Sequence, residues 1–329
     1  MPKRKCRTCQ SFKVVSWGIN KSGSQRFRCS ICGISFTAKR KDVAKRNQFS
    51  WLKRWLFGST ISAIAKSSRQ SQETIRRSLH WFLDHPPIPS PKPNGQCHLI
   101  IDATWFKKDC CLLVYWDHDL QKIQWWRYTT SENGFEITRD LRQLKVEGII
   151  CASITSDGGK GLNMAISCVY PTTPHQRCVV HIQRYGLAWL TRNPKTIPGQ
   201  QLKPLVQQLS KIKTEKQADQ WIKKVLAWEK RWSWFLKEKT YQEETRNWWY
   251  THKSLRKVRA LVLNAIPNLF HYLKDSKIPK TSNGLEGRFG SLKMHYRQHR
   301  GLSKKRRKAY LAWYLTVVIN GEKPTRFDH

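Results

Sequence analysis

Three acidic residues stand at points where the secondary-structure pattern of the sequence changes. Asp102 lies in His98–Phe106, an apolar run too short for a helix, Asp157 follows the run Cys151–Thr155, and Glu286 opens a late helical segment. A buried carboxylate is costly unless a metal or a partner compensates its charge. Carboxylate oxygens are ligands for hard cations, and two such ions about 4 Å apart promote phosphodiester cleavage and transfer. We therefore expect Asp102, Asp157 and Glu286 to be catalytic and to hold two Mg²⁺ (or Mn²⁺) ions per active site.

Each of these acids also has a purely structural explanation. Asp157 is placed to cap the helix that follows it, and Glu286 to interact with the dipole of its own helix. Four other acids lie in a hairpin turn or near the start of a helix, where acidic residues are common for backbone reasons: Asp117, Asp119, Glu132 and Glu136. The joint placement of the first three on two strands and a helix favours the catalytic interpretation.

The N-terminal segment carries two Cys-x-x-Cys pairs, Cys6/Cys9 and Cys29/Cys32, separated by nineteen residues. Each pair places two thiolates on one side of a tight turn, and the four together complete a tetrahedral site for one structural Zn²⁺. Short strands between the pairs predict a zinc ribbon, with unpaired structural cysteines as the alternative. Ten cysteines and no secretory signal indicate a reducing compartment, where thiols and metal ligands prevail over disulfides.

The charge of the chain indicates a polyanionic partner. Lysine and arginine number 61 against 22 acidic residues, a formal net charge of +39 spread over 329 residues. Double-stranded DNA is the expected partner, although a generally cationic protein is the alternative. No window approaches the apolar length of a membrane span, so we predict no membrane partner and a cytoplasmic, nucleoid-associated protein.

Helical patterns over residues 48–85 predict a DNA-binding helix-turn-helix. Three helices are expected, with a short turn between the second and third: Gln48–Phe57, Thr60–Ser68 and Ser71–Asp84. Gln72, Arg76 and Arg77 would then lie on the exposed face of the recognition helix, near its start. A plain helical linker bundle fits the same pattern.

A proline-rich stretch, His85–Gly95, marks the clearest domain boundary. Beyond it we predict three antiparallel strands, then helix, strand, helix and strand, which is the element order of a ribonuclease H-like core. The predicted strands are His98–Phe106, Cys110–Trp116, Lys122–Tyr128, Cys151–Thr155 and Gln176–Ile182, and the predicted helices are Gly134–Leu144 and Leu162–Cys168.

The remainder of the chain is predicted to be helical. A stripe of Trp221, Val225, Trp228 and Trp232 indicates core packing rather than base stacking. The basic run at the start of the last helix is interpreted as a DNA-facing strip formed by Lys304, Lys305, Arg306 and Arg307, with a solvated helix face as the alternative.

Several motifs together resemble the Mutator-type transposases of bacterial insertion sequences, over residues about 97 to 320. The motifs are the Asp102, Asp157 and Glu286 set, Thr281-Ser-Asn-Gly-Leu-Glu-Gly287, His299-Arg-Gly-Leu302 and Cys178-Val-Val-His181. The resemblance implies a DDE transposase that hydrolyses DNA at element ends and then joins the freed 3′ hydroxyl to target DNA. It also implies an all-helical insertion in the catalytic domain. Cys178 and His181 are interpreted as a motif that supports the site or contacts DNA, with metal binding as the alternative.

These expectations combine into one division of the chain. We predict a zinc ribbon (1–42), a helix-turn-helix (43–85), a linker (86–96), a ribonuclease H-like catalytic domain (97–186 and 280–329) and a helical insertion (187–279). Two ends must be processed together, so a homo-oligomer is expected. The alternative functions are a catalytically inactive DNA-binding regulator and a ribonuclease H-like nuclease without strand transfer.

Overall fold

The structure, a computed structural model, describes residues 4–6, 8–20, 24–37, 41–93, 95–106, 110–131, 133–299 and 301–322. The chain divides into two compact units, Met1–Asp84 and His85–His329. Glu132, one of the competing acids, lies outside the described residues.

The first unit combines a small antiparallel sheet with three helices. The sheet contains β1 (Val14–Ile19), β2 (Gln25–Cys29) and β3 (Ser35–Thr37), and the helices are α1 (Lys41–Leu56), α2 (Ile61–Ser68) and α3 (Gln72–Asp84). The Thr60 side chain accepts a hydrogen bond from the Ala63 N–H and caps α2. Ser71 caps α3 in the same way through the Thr74 N–H at 3.1 Å, so its role as a helix start agrees with the prediction.

A five-stranded mixed sheet organises the second unit. Its strands are β4 (Gln96–Phe106), β5 (Cys110–Asp117), β6 (Lys122–Thr129), β7 (Ile150–Ser156) and β8 (His175–Arg177), in the order β6-β5-β4-β7-β8. The first three form an antiparallel meander, and β7 and β8 run parallel to β4. The chain is therefore a mixed α/β protein, as predicted.

Helices cover both faces of this sheet. On one face lie α4 (Gly134–Val146) and α5 (Lys160–Val169), whose apolar residues share a core with Leu99, Ile101 and Tyr115. On the other face α11 (Asn283–Tyr296) contacts β4, and a π-helix (Tyr314–Ile319) that continues α12 (Lys304–Trp313) contacts β6. Because side chains alternate between faces, Asp102 points toward the face that carries α11.

The segment between β8 and α11 is mostly helical. It contains α6 (Val179–Leu190), α7 (Ile197–Gln208), α8 (Glu215–Trp232), α9 (Lys253–Ala265) and α10 (His271–Lys274). Trp221 and Trp228 are buried in the core that these helices share, and their indole N–H groups donate to the carbonyls of Leu205 and Pro198. Core packing, rather than base stacking, is thus the role of this stripe.

Two details of the predicted elements are wrong. The insertion is not all-helical, because β9 (Lys239–Tyr241) and β10 (Trp248–Tyr250) form an antiparallel hairpin within it. The last sheet strand, predicted as Gln176–Ile182, ends at Arg177, and residues 179–190 form α6 instead. The last strand was predicted too long because a short apolar run fits a strand and a buried helix equally well. The hairpin was missed because three-residue strands carry almost no periodic signal.

A buried ion pair joins the sheet to α4. Asp140 on α4 is 1% exposed and accepts two hydrogen bonds from the Arg127 guanidinium on β6, one of them 2.6 Å long from Nε. The Tyr115 hydroxyl donates to the same carboxylate at 3.1 Å. Breaking such a pair on one side leaves an uncompensated buried charge and costs about 3–5 kcal/mol.

We predict that Arg127→Met lowers the thermal unfolding midpoint by on the order of 10 °C, given this cost and the size of the unit. Arg127→Met combined with Asp140→Asn should be more stable than Arg127→Met alone, because the neutral amide needs no counter-charge and still accepts from Tyr115. Differential scanning calorimetry of the three proteins checks this. Strictly additive losses would contradict the ion pair as described.

No helix within the described ranges is both long enough and apolar enough to span a membrane.

Candidate functional site

Three side chains from distant parts of the second unit converge at the sheet. Ligand atoms of Asp102 on β4, His181 on α6 and Glu286 on α11 all lie within 4.8 Å of one another. Asp102 and His181 are buried, whereas the Glu286 side chain is 26% exposed. The structure therefore brings together two of the three predicted acids with a histidine that the sequence indicated only as part of a supporting motif.

Asp157 follows the end of β7, where that strand runs beside the middle of β4 and Asp102. Ile101 on β4 is in register with Ser156, the last residue of β7, so the next residues, Asp102 and Asp157, are neighbours where the parallel pairing ends. One Asp157 oxygen accepts a 3.0 Å hydrogen bond from the Gly159 N–H, and its charge contributes to a raised Asp102 pKa. Asp157 is nevertheless outside the group of three whose ligand atoms lie within 4.8 Å.

Glu286 reaches this position because the segment before α11 is fixed to the sheet and to α6. The Thr155 hydroxyl on β7 donates to the Pro279 carbonyl at 2.8 Å, and the Val179 N–H donates to the Lys280 carbonyl at 3.2 Å. These bonds set where α11 begins. Glu286, in its first turn, then faces Asp102.

Cys178 and His181 lie at the start of α6, not on a strand end as predicted. Cys178 is the N-cap residue of that helix, and His181 lies one turn further on. Both face Ser282, the buried residue that precedes α11: its hydroxyl is 3.5 Å from Cys178 Sγ and 3.4 Å from His181 Nδ1. The Ser282 N–H also donates to Cys178 Sγ at 3.4 Å. The motif therefore holds α11, and with it Glu286, against α6.

The electrostatics of the three side chains are strongly coupled. Burial raises the pKa of Asp102 to about 7, against the opposing effects of His181 and of the Ala103 N–H, which donates to it at 2.9 Å. Burial lowers the pKa of His181, but its hydrogen bond to Cys178 and the charges of Cys178, Asp102 and Glu286 outweigh this and raise the pKa to about 9. A protonated imidazole thus supplies positive charge between two carboxylates.

Arg184 is a second cation at this site that the sequence did not reveal. Its guanidinium donates to both Glu286 oxygens, at 3.3 and 2.9 Å, while His181 Nε2 lies 3.3 Å from one of them. Arg184 lies three residues beyond His181, about one helical turn, so both project toward α11. Its spacing in Cys-x-x-His-x-x-Arg is the signal that could have identified it.

The donor set suits a divalent cation. Two carboxylates offer hard oxygen ligands of the kind that Mg²⁺ and Mn²⁺ prefer, and an imidazole nitrogen is better suited to Mn²⁺ or Zn²⁺ than to Mg²⁺. The Asp102, His181 and Glu286 group could therefore bind a metal. A metal ligand must be free of protons, so binding through His181 must overcome the raised pKa that favours its protonated ring.

The competing acids have structural partners. Asp117 is 2% exposed, and its carboxylate accepts from the N–H groups of Asp119 and Leu120 and from the Gln124 amide. Asp119 accepts from the His98 N–H at 2.7 Å, and Glu136 from the Thr129 hydroxyl at 2.7 Å. These contacts account for the three acids as turn and helix-start residues.

The four N-terminal cysteines form a second candidate metal site in the first unit. Their sulfur atoms lie within 4.8 Å of one another, with Cys6 3.5 Å from Cys32 and Cys9 3.5 Å from Cys29. Tetrahedral zinc with Zn–S bonds of about 2.3 Å requires sulfur–sulfur distances of about 3.8 Å. The cluster could therefore bind Zn²⁺ after a shift of a few tenths of an ångström.

Backbone groups prepare these sulfur atoms for a metal. The Thr8 N–H donates to Cys6 Sγ and the Ile31 N–H donates to Cys29 Sγ, each at 3.4 Å. Interactions with the backbone N–H groups of Cys9 and Thr8 lower the pKa of Cys6 to about 6, which favours the thiolate that zinc binds. The predicted zinc ligands thus lie together, and the backbone favours the thiolate form of Cys6.

The predicted DNA-contacting residues are mostly exposed. Gln72, Arg76 and Arg77 lie on the outer face of α3, where Arg76 also pairs with Glu73 at 2.6 Å. Lys304 and Lys305 are exposed in the first turn of α12. The other two members of the basic strip, Arg306 and Arg307, are half-buried, and the Arg307 Nε donates to the Leu302 carbonyl at 2.8 Å.

Comparison with known proteins gives one family. Residues 122–272 match the family model described as Transposase, Mutator family. This range includes Asp157, Cys178 and His181, whereas Asp102 and Glu286 flank it. No curated protein matches the chain. The family match confirms the resemblance that the motifs predicted: over residues 122–272 the chain is similar to the transposases of the Mutator family.

Proposed function

We propose that the protein is a DDE transposase of an insertion sequence, which binds the ends of its element and catalyses metal-dependent DNA cleavage and strand transfer. The observation that carries the proposal is the approach of Glu286 to Asp102 on β4, beside the end of β7 that Asp157 follows. Carboxylates converging from two parallel strands and a distant helix are what two-metal phosphodiester chemistry needs.

The catalytic domain is proposed to be ribonuclease H-like. An antiparallel meander joined to two parallel strands, with helices on both faces, supports this assignment. The proposed division of the chain is a zinc ribbon (1–42), a helix-turn-helix (43–85), a linker (86–96), the catalytic domain (97–186 and 280–329) and the insertion (187–279).

Asp102, Asp157 and Glu286 are proposed to hold two Mg²⁺ or Mn²⁺ ions. When bound, such ions activate the attacking oxygen and stabilise the charge on the leaving oxygen. Ser282 and Cys178 keep α11 against α6, so the Glu286 carboxylate stays aligned with Asp102. Arg184 and His181 neutralise Glu286 in this structure, and both must release it when it binds metal.

End recognition is assigned to the first unit and to the last helix. The zinc ribbon orders a basic segment, and Gln72, Arg76 and Arg77 would read bases or contact phosphates from α3. A strip of Lys304, Lys305, Arg306 and Arg307 would contact the DNA backbone. Processing two ends together favours a homo-oligomer, and the net charge of +39 favours association with the nucleoid.

Product analysis tests the proposal. The protein is incubated with Mg²⁺ and DNA that carries the ends of its own element, and both cleaved ends and joined products are expected. Cleavage without joining would favour a nuclease, and DNA binding without either product would favour a regulator. A reaction without divalent metal should give neither product.

A further inference from the structure

Arg177 is a buried cation that the site described above does not use. It is the last residue of β8, is 6% exposed, and its Nε has no hydrogen-bond partner among the described residues. Burial lowers the pKa of Arg177, and the charge of Asp157 opposes that effect. No hydrogen bond joins the two side chains within the described part of the chain. A buried guanidinium nitrogen without a partner is costly, and a bound anion is one way to compensate it.

The guanidinium lies against the loop that leads from β7 into α5. Gly158 in this loop has φ +74°, and a Cβ atom placed there would lie 1.9 Å from Arg177 Nε. Only glycine leaves room for the arginine in this position, and only glycine adopts this backbone conformation without strain. The loop and the side chain therefore form one cradle.

The N-terminus of α5 directly follows Gly158. Gly159 is its N-cap residue and supplies no side chain, so no side chain caps the helix. The N–H groups of its first turn point out of the helix end, where the helix dipole favours negative charge. Lys160, the first helical residue, is exposed and adds a positive charge. The Asp157 carboxylate accepts the Gly159 N–H at this end, and the remaining N–H groups of the first turn and the Arg177 guanidinium are donors, which is the arrangement that binds a phosphate.

We propose that Arg177 and the N-terminus of α5 bind a phosphate group of the DNA backbone next to the acidic site. That the phosphate belongs to DNA rests on the proposed function, whereas the anion site itself does not. Because Gly158 and Gly159 directly follow Asp157, and Asp157 neighbours Asp102 across the sheet, the phosphate bound here would neighbour the one that reacts. Arg177 would fix the DNA strand relative to the carboxylates.

The first test uses inorganic phosphate and the full-length protein without divalent metal. With ¹⁵N-labelled arginine, the Nε–H signal that disappears in Arg177→Met is assigned to Arg177. We expect this signal to shift saturably with phosphate and not with chloride at equal ionic strength. Arg142→Met, which removes one exposed charge from α4, should leave the shift unchanged. An Arg177 signal that does not respond to phosphate would overturn the proposal.

Gly158→Ala is the matched variant, because it keeps every charge and fills the cradle. It should lose the phosphate-dependent shift while the protein remains folded, as judged by its other signals. If Arg177 served only to hold the Asp157 loop, both variants would change stability while the wild-type signal ignored phosphate.

A second test uses duplex DNA of arbitrary sequence. Removing one phosphate contact should reduce the slope of log K against log salt by about one in Arg177→Met. An unchanged slope would contradict the DNA contact. Absence of cleavage at element ends, with phosphate binding and the slope effect intact, would instead reject the proposed transposase function and leave the anion site standing.

Discussion

Asp102→Asn is expected to abolish both cleavage and strand transfer while DNA binding persists. Asparagine keeps the shape of the side chain and its acceptor for the Ala103 N–H, but it removes the charge that would hold a metal. Losing several kcal/mol of transition-state stabilisation corresponds to a rate decrease of about a thousand-fold or more. Rates of end cleavage, with DNA affinity measured in parallel, check this result.

Two variants serve as comparisons for Asp102→Asn. Glu286→Gln should lose activity to a similar degree, and the double variant should be little worse than either, because ligands of one metal centre act as a unit. Asp119→Asn should retain activity, since its carboxylate only accepts a backbone hydrogen bond in a turn. Normal cleavage by Asp102→Asn would refute the assignment of the site.

The pH dependence of stability gives an independent check on Asp102. Its pKa is raised to about 7 in the folded chain, so the folded state favours its protonated form. The stabilisation from this group is therefore greatest at low pH and is lost as pH rises through about 7. Without metal, Asp102→Asn should be no less stable than the wild type at pH 8, which also shows that lost activity is not lost folding.

Removal of zinc is expected to unfold the N-terminal ribbon. Within its described residues the buried apolar side chains are only Cys6, Phe27 and Cys29, too few for an independent core. Metal binding in small zinc domains supplies about 10–16 kcal/mol. Cys6→Ser or a strong chelator should therefore remove one bound zinc per chain and the dispersed NMR signals of residues 4–37.

Cys168→Ser provides the control for this prediction. Cys168 is exposed on α5 and belongs to neither candidate metal group of the described residues. Its replacement should leave zinc content at one per chain. A ribbon that stays folded after complete zinc removal would contradict a structural role for the metal.

Periodic apolar patterns and residue spacings in the sequence predicted the elements that depend on local residues alone. Alternation and buried apolar runs located β4 to β7, and the paired Cys-x-x-Cys spacing located four sulfur atoms that do lie together. Glu286 depended on the family resemblance, because no local pattern shows where a helix returns after a long insertion.

The features that sequence could not supply arise from tertiary contacts. The run Val179–Ile182 is apolar enough for a buried strand. The pairing of β8 with β7 ends at Arg177, however, and the run that follows forms a helix. Ser282 precedes α11, yet its side chain is turned toward Cys178 and His181 rather than capping that helix. Arg177 stands out only once its burial and its lack of a partner are known.

The attachment of residues 279–282 to β7 and α6 has a consequence for synthesis of the protein. During translation the first unit, β4 and β7 are synthesised long before Glu286. Glu286 reaches its place only once the intervening helices have folded. On the proposed function, a nascent or prematurely terminated chain could occupy an element end but could not cut it. Such fragments would compete with complete chains, so truncation of the gene would turn a mobilising enzyme into its own inhibitor.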